Sequence, residues 1–220
     1  ISVIMPSLYG GRQHRRMIRE SLDCAVALQE LDSMTTRYPG HDMLSEVAAL
    51  TSMHATYAPT IDYRGGKYGI GMLTREKPIS YRQVPLPCRS EPRALLIVEL
   101  EDYYYCCTHL SLHEEDRITS VAIIIDELSK LDKPAIIAGD FNALPNSFPM
   151  MALGRKFHIF EKSGTPYTFP ANEPKREIDY VALYTGGGAT AEVVEHRVLS
   201  APVESDHAPM VAEVVITPAK

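Results

Sequence analysis

Two short runs in this chain are apolar at every position, and they constrain its fold more than any other feature. Residues 135–138 are followed by Gly139 and Asp140, and residues 24–28 are followed by Gln29 and Glu30. Adjacent side chains of a strand point in opposite directions, so a strand that is apolar throughout must be covered on both faces. The chain is therefore expected to build sheets that have a layer packed on each side.

The remaining patterns predict further strands and helices in an irregular order. Predicted helices cover residues 12–22, 41–52 and 114–131. The other predicted strands lie near residues 2–5, 54–58, 69–74, 79–84, 94–100, 103–110, 178–183, 191–198 and 210–216. Residues 143–176 are rich in proline and are expected to be mostly irregular. Because strands and helices do not alternate regularly, the pattern favours a mixed α/β domain over residues 1–220, with sheets packed face to face and helices outside.

Composition narrows the class of protein. The formal net charge is −6, the sequence pI is about 5.8, and 23% of the residues are charged. This balance argues against nonspecific binding to duplex nucleic acid, which needs a basic face, but it allows a small phosphorylated substrate. No apolar segment is long enough to span a bilayer. Because residues 2–5 already form a predicted strand, Ile1 looks like a cut end, so the compartment stays open and a removed N-terminal leader is one interpretation.

Polar side chains recur where the predicted strands meet loops. They are Glu30, His109, Asp140 with Asn142, Asp179, and Asp206 with His207. One such residue alone would be explained by a turn or by a satisfied histidine. Five such junctions favour a site for Mg²⁺ or Mn²⁺, because these cations prefer carboxylate, amide and water ligands. The four cysteines have neither a disulfide-framework spacing nor a zinc-site spacing.

These residues stand in motifs that occur in a fixed order. The motifs are Gln29-Glu30, Thr108-His109-Leu110, Gly139-Asp140-Phe141-Asn142, Ile178-Asp179-Tyr180 and Ser205-Asp206-His207. The set resembles the endonuclease/exonuclease/phosphatase superfamily, which includes deoxyribonuclease I, apurinic endonucleases, inositol polyphosphate 5-phosphatases and neutral sphingomyelinases. The resemblance covers essentially the whole chain. It implies a deoxyribonuclease I-like α/β fold, a four-layer sandwich of two mixed sheets flanked by helices.

The resemblance also implies how the acidic residues and the amide are used. Glu30 would be the principal metal ligand, and Asp206 would help at the same metal or at a second metal position. Asp140 would orient or deprotonate the attacking water. Asn142 would hold that water or a phosphate oxygen.

Two histidines would act on the phosphoryl group. His207 would pair with Asp179, which would raise its pKa, and the resulting imidazolium would stabilise charge on the phosphoryl oxygens. The family also offers a version in which this histidine is the base. His109 would contact a non-bridging phosphate oxygen.

The chain departs from the family pattern at two positions. Ser7 stands where many members have an asparagine near the metal, so it is expected to be a weaker metal ligand. Lys67 stands where some members have a glutamate that pairs with the first histidine, and a lysine cannot accept from an imidazole N–H. Lys67 is either an exposed hairpin residue or a contact to a substrate phosphate. Arg93 and Arg176 are further candidates for phosphate contacts, with a structural ion pair as the alternative for Arg93.

The favoured hypothesis is a metal-dependent phosphoesterase in which water attacks a phosphodiester or a phosphomonoester in line. We expect a monomer that acts on a phosphorylated small molecule or a lipid head group rather than on duplex DNA. The alternative hypothesis, motivated by Ser7 and Lys67, is a catalytically weakened member of the fold that binds a phosphate ligand.

Overall fold

The strands outnumber the helices in the computed structural model of the chain, which describes residues 2–5 and 24–219, with side chains from residue 25 onward. The strands are β1 (Ser2–Met5), β2 (Cys24–Ser33), β3 (His54–Tyr63), β4 (Gly66–Thr74), β5 (Ser80–Leu86), β6 (Arg93–Glu99), β7 (Tyr104–His109), β8 (Ala135–Asp140), β9 (Phe157–Ile159), β10 (Asp179–Tyr184), β11 (Thr190–Val198) and β12 (Met210–Thr217). The helices are α1 (Met43–Thr51), α2 (Glu114–Ser129) and α3 (Phe148–Leu153). The predicted helix over residues 12–22 and Ser7 lie outside the described residues. Within those residues, no helix is long and apolar enough to cross a membrane.

The strands form two six-stranded mixed sheets. The first sheet has the order β11-β12-β1-β2-β4-β3, and the second has the order β5-β6-β7-β8-β10-β9. In the second sheet β7 and β8 are parallel, so their carboxyl ends lie at the same edge. Strand β10 is antiparallel to β8 and begins at that edge. The register of these three adjacent strands therefore brings one end of each strand to the same edge of the sheet.

Alternation along the strands builds four layers. In β8, Ile136 and Ala138 face the layer between the two sheets, whereas Ile137 packs toward α2 and α3. In β2, Ala27 faces the layer between the sheets, whereas Val26 packs toward α1. The layers are thus α1, the first sheet, the second sheet, and α2 with α3. This arrangement confirms the prediction of face-to-face sheets with helices outside.

Residues 143–176 are mostly irregular, as expected, but the region also contains α3 and β9, which the sequence pattern did not predict. The proline signal was misleading at Pro149, which lies in the first turn of α3. A proline is tolerated there because the first backbone N–H groups of a helix have no partner within the helix. Strand β3 also runs beyond its predicted end at residue 58 and includes Pro59, which is accommodated because β3 is an edge strand.

Candidate active site

Three of the polar strand ends are neighbours by strand register alone. His109 ends β7 and pairs with Asp140, which ends β8. Asp179 begins β10 and pairs with Asp140 from the other side. All three side chains are buried. Charged groups are rarely buried unless they are paired or functional, so this edge of the second sheet is the candidate active site.

Asp179 orients and charges His207. The Nδ1–H of His207 donates to Asp179, with Nδ1 2.9 Å from Oδ2 and 3.2 Å from Oδ1. Burial disfavours the charged imidazole, but the hydrogen bond and charge of Asp179, together with the charges of Asp140 and Asp206, raise the pKa of His207 to about 9. His207 is therefore an imidazolium at neutral pH. Its Nε2 lies 3.9 Å from Asp140 Oδ2.

The backbone after β8 holds the Asp140 carboxylate. Oδ1 of Asp140 accepts the backbone N–H of Asn142 at 2.7 Å. Asn142 has a left-handed φ of 49°, which asparagine tolerates better than most residues, and its Nδ2 donates to the Leu110 carbonyl at 3.0 Å. Burial, followed by the charge of Asp179, raises the pKa of Asp140 to about 8. Asp140 is therefore a stronger base than an ordinary carboxylate.

The pKa of His109 is shifted in the opposite direction to that of His207. Its Nε2 lies 3.4 Å from Asp140 Oδ2, and its Nδ1 lies 3.3 Å from Arg93 Nη1. Burial, followed by the positive charges of Arg93 and His207, holds the pKa of His109 well below its usual range. The cluster thus contains one neutral and one protonated histidine on the same carboxylate. Titratable groups whose pKa values are pushed apart in this way are typical of acid–base sites.

The first sheet reaches the cluster through a β-bulge in β2. The register between β2 and β4 shifts between Leu28 and Leu31, and Glu30 lies in the bulge with a left-handed φ of 59°. A bulge of this kind turns a side chain away from the regular alternation. Beside it, buried Gln29 donates through Nε2 to Cys107 Sγ, 3.3 Å away across the two sheets.

The charges of the cluster also shift the pKa of Glu30. Its pKa is raised by burial and by the negative charge of Asp206, while the positive charge of His207 and a hydrogen bond from Tyr68 oppose the rise. Asp206 itself is exposed, on the loop before β12. A carboxylate from each of two segments therefore faces the same space.

The oxygen donors fit a hard divalent cation. Asp140, Asp179 and His207 each place one ligand-capable atom within 4.8 Å of the others. His207, however, donates to Asp179 and is protonated, and an imidazolium has no lone pair for a metal. Glu30 and Asp206 are further oxygen donors, and a positive charge beside them would offset the repulsion that, after burial, raises the pKa of Glu30.

Lys67 and Arg93 have carboxylate partners. Lys67 pairs with Asp62 on the hairpin between β3 and β4, where the side chains of Lys67 and Asp62 are 54% and 83% exposed. Its contact with a substrate phosphate stays a prediction. The Nη1 of Arg93 lies 2.6 Å from a carboxylate oxygen of Glu91 and also contacts His109, so the structure brings Arg93 into the cluster.

Phe169 is a rim residue that the sequence pattern did not indicate. Its ring centroid lies 4.8 Å from that of His207, and the guanidinium of Arg176 lies 4.6 Å from the Phe169 centroid. Arg176 therefore contacts the rim of the site through the ring of Phe169, and Arg176 itself is exposed. Phe169 belongs to the proline-rich region, where no periodicity marks individual side chains. Tyr68 was also missed, although its alternation with Lys67 was a usable signal for an inward-facing residue.

Comparison with known proteins identifies the family. The sequence profile of the Endonuclease/Exonuclease/phosphatase family matches residues 13–207. Similar solved structures include an endonuclease/exonuclease/phosphatase from Bacteroides vulgatus, at 15% identity and a TM-score of 0.77 with 99% of each chain covered. A mannosyl-6-phosphatase from Bacteroides thetaiotaomicron is 14% identical with a TM-score of 0.73, over 98% of this chain and 99% of that chain. The catalytic domain of human Nocturnin, with bound sulfate, is 16% identical with a TM-score of 0.71, over 99% of this chain and 94% of that chain. No curated protein matches the sequence. The profile match spans most of the chain, and the chain therefore belongs to the endonuclease/exonuclease/phosphatase family.

Proposed function

We propose that this chain is a divalent-metal-dependent phosphoesterase that directs a water molecule at a phosphodiester or a phosphomonoester. The proposal is carried by the convergence of a neutral and a protonated histidine on buried Asp140. A site that only bound phosphate would gain nothing from buried carboxylates, because like charges repel strongly where water is excluded. Buried carboxylates are useful if the site also binds a cation and accepts a proton during the reaction.

Each residue has a role that follows from its geometry and charge. Glu30 and Asp206 would hold the cation, which would neutralise charge on the phosphate oxygens when bound. The carboxylate form of Asp140 accepts the proton of the attacking water, and the raised pKa of about 8 makes that form a stronger base than an ordinary carboxylate as the pH rises toward this value. The imidazolium of His207 and the Nε2–H of His109 donate to phosphoryl oxygens and stabilise the charge that develops on them.

Asn142 and Arg176 complete the proposed substrate contacts. Asn142 is fixed by its hydrogen bond to Leu110 and positions the water or a phosphate oxygen. Arg176 attracts the anionic substrate at the rim of the site, next to Phe169. Ser7 remains a proposed metal ligand and Lys67 a proposed phosphate contact, because each stands at a position where members of the family carry a site residue.

We propose a phosphorylated small molecule or a lipid head group as the substrate of a monomeric enzyme in which residues 1–220 form one domain. The net charge of −6 works against a polyanionic duplex. Among the proteins of similar fold is a mannosyl-6-phosphatase, so sugar phosphates are the first class to screen.

Metal dependence and the role of Asp140 can be tested together. Bis(p-nitrophenyl) phosphate and p-nitrophenyl phosphate are assayed with saturating Mg²⁺, with Mn²⁺, and with a chelator. We expect the chelator to abolish turnover and Asp140→Ala to lower kcat/KM by about 10²–10⁴-fold, the usual range for a lost general acid–base group.

Asp126→Ala is the matched control, because this exposed acid on α2 pairs only with Lys130 among the described residues and should leave turnover unchanged. Undiminished turnover in Asp140→Ala would contradict the proposed mechanism. Phosphate binding without any metal-dependent turnover would favour the alternative of a weakened, phosphate-binding member of the fold.

A further inference from the structure

Arg93 contacts His109 on the nitrogen that faces away from Asp140. Nη1 of Arg93 lies 3.3 Å from His109 Nδ1, and the same Nη1 lies 2.6 Å from Glu91 Oε1. The Arg93 side chain is only 11% exposed. The guanidinium is therefore held between Glu91 and His109, in the interior of the site.

The chemistry of the guanidinium determines the tautomer of His109. An arginine side chain carries only hydrogen-bond donors and keeps its proton at any ordinary pH. Nδ1 of His109 must therefore accept, which leaves the single ring proton on Nε2. An imidazolium, or the tautomer with the proton on Nδ1, would place an N–H against the N–H of Arg93. The low pKa of His109 is consistent with this arrangement.

We propose that Arg93 is a positioning residue, anchored by Glu91, which holds His109 as a neutral Nε2–H donor directed at Asp140 and the substrate phosphate. This role replaces the direct phosphate contact that the sequence suggested for Arg93. It rests on the proposed function only in naming a phosphate as the acceptor. The tautomer itself is a property of the free protein.

The tautomer can be read from two-bond ¹H–¹⁵N correlation spectra of protein labelled with ¹⁵N-histidine, at about pH 7. The eight histidines require assignment, and the His109 signals are those that disappear in His109→Gln. We expect the pattern of a neutral ring protonated on Nε2. A wild-type ring protonated on Nδ1, or on both nitrogens, would overturn the proposal whatever the activity.

Three variants separate positioning from substrate contact. Arg93→Gln offers both a donor and an acceptor to Nδ1, so we expect a mixture of tautomers and a fall in kcat of about tenfold or more with KM little changed. Arg93→Lys offers only donors and should retain the Nε2–H tautomer and most of kcat. Arg89→Gln is the matched control, because Arg89 lies in the connection that leads from β5 to Arg93 but pairs with Glu115 and Asp116.

Each outcome is decisive. A raised KM in Arg93→Gln with the wild-type tautomer would overturn the proposal in favour of a direct phosphate contact. Should Arg93→Gln fail to fold by circular dichroism, Glu91→Gln takes its place, since it releases the anchored Nη1 and should also mix the tautomers. An unchanged tautomer in Glu91→Gln would then overturn the proposal. A wild-type protein with the Nε2–H tautomer but without turnover would instead contradict the proposed function and leave the positioning role intact.

Discussion

The charge of His207 depends mainly on Asp179, with smaller contributions from Asp140 and Asp206. With this carboxylate present the pKa of His207 is about 9, against an ordinary value of 6.5, so the imidazolium persists through neutral pH. Asp179→Asn keeps the shape but removes the negative charge. We expect kcat/KM to fall about a hundredfold or more, and the alkaline limb of the pH–rate profile to move from near pH 9 toward lower pH. The profile is measured with saturating Mg²⁺.

The direction in which activity changes at alkaline pH also distinguishes the two proposed roles of His207, as a stabilising imidazolium or as the base. If the imidazolium stabilises phosphoryl oxygens, activity is lost as pH rises through its pKa, whereas activity would rise if His207 were the base. Asp126→Asn is the control, because exposed Asp126 on α2 pairs with Lys130 and has no proposed role at the site. An unchanged profile in Asp179→Asn, with an intact circular dichroism spectrum, would count against the pairing.

Single residues differ in how far the sequence reveals them. Asp140, Asp179 and His109 could be located because each directly adjoins an apolar run that reads as a strand. The partnership of Arg93 with His109 could not, because it depends on the register between β6 and β7 and joins residues 16 positions apart. The left-handed backbone of Glu30 is likewise set by the β2–β4 bulge, and a glutamate gives no local sign of it.

The start of helix α1 illustrates a device whose energy can be tested separately from the active site. Asp42 is the N-cap, and its Oδ1 accepts the Ser45 N–H at 2.8 Å. Asp42→Ala is expected to lower the free energy of unfolding by about 1 kcal/mol, because a backbone donor loses its partner. Urea unfolding near pH 7 measures the loss, and Asp62→Ala serves as a control without a capping role.

The same cap has a predictable pH dependence. Burial favours the neutral form of Asp42, but hydrogen bonds from Ser33 and Ser45 outweigh it and lower the pKa. A carboxyl whose pKa is lower in the folded state stabilises the protein above its unfolded pKa, and this contribution is lost as the pH falls through the folded value. The difference between Asp42→Ala and wild type should therefore shrink below about pH 4. A difference that does not change with pH would contradict the charged cap.

Strands and helices were predictable where a single pattern dominates. The acidic first turn and apolar stripe of α2, and the uninterrupted apolar runs of β2 and β8, identify those elements. The short α3 and β9 were hidden because Pro149 was read as an interruption, although a helix accepts proline in its first turn. Elements of six and three residues offer too few positions for periodicity to register.

Taken as a whole, the metal-free protein should be less stable at alkaline pH than at mildly acidic pH. Burial and Asp179 raise the pKa of Asp140 to about 8 from an ordinary value of 3.8. Between these values the folded state binds more protons than the unfolded state, so stability falls as the pH rises. His207, with a folded pKa of about 9 against 6.5, acts in the same direction above neutrality.

Removing the charge of Asp140 should raise the stability of the metal-free protein and abolish its activity. We expect Asp140→Asn, in chelator at about pH 8, to raise the free energy of unfolding by roughly 1–3 kcal/mol while abolishing turnover. Urea unfolding at about pH 5.5 and about pH 8.5 measures the pH slope of each protein. Equal slopes for wild type and variant would contradict the prediction, whereas Mg²⁺ should stabilise the wild type most at the higher pH.

The deoxyribonuclease I-like sandwich as a whole could be predicted from the sequence, because several of its strands are apolar at successive positions, as strands covered on both faces are. In β6, Leu96 and Val98 face the layer between the sheets, and Leu95 and Ile97 face α2. Such strands admit few arrangements other than stacked layers. The pairing order within each sheet is fixed by contacts between distant segments, which no local pattern encodes.

The layer between the sheets combines alanines with bulky side chains, and this has a consequence for the chemistry. Ala27 and Ala138 lie in the same layer as Met72, Tyr105 and Phe160. Glu30 comes from one sheet, and His109, Asp140 and Asp179 come from the other, so the packing of this layer sets the distance across which the carboxylates act on one another. One enlarged alanine in the layer would therefore change that distance without removing any atom of the site.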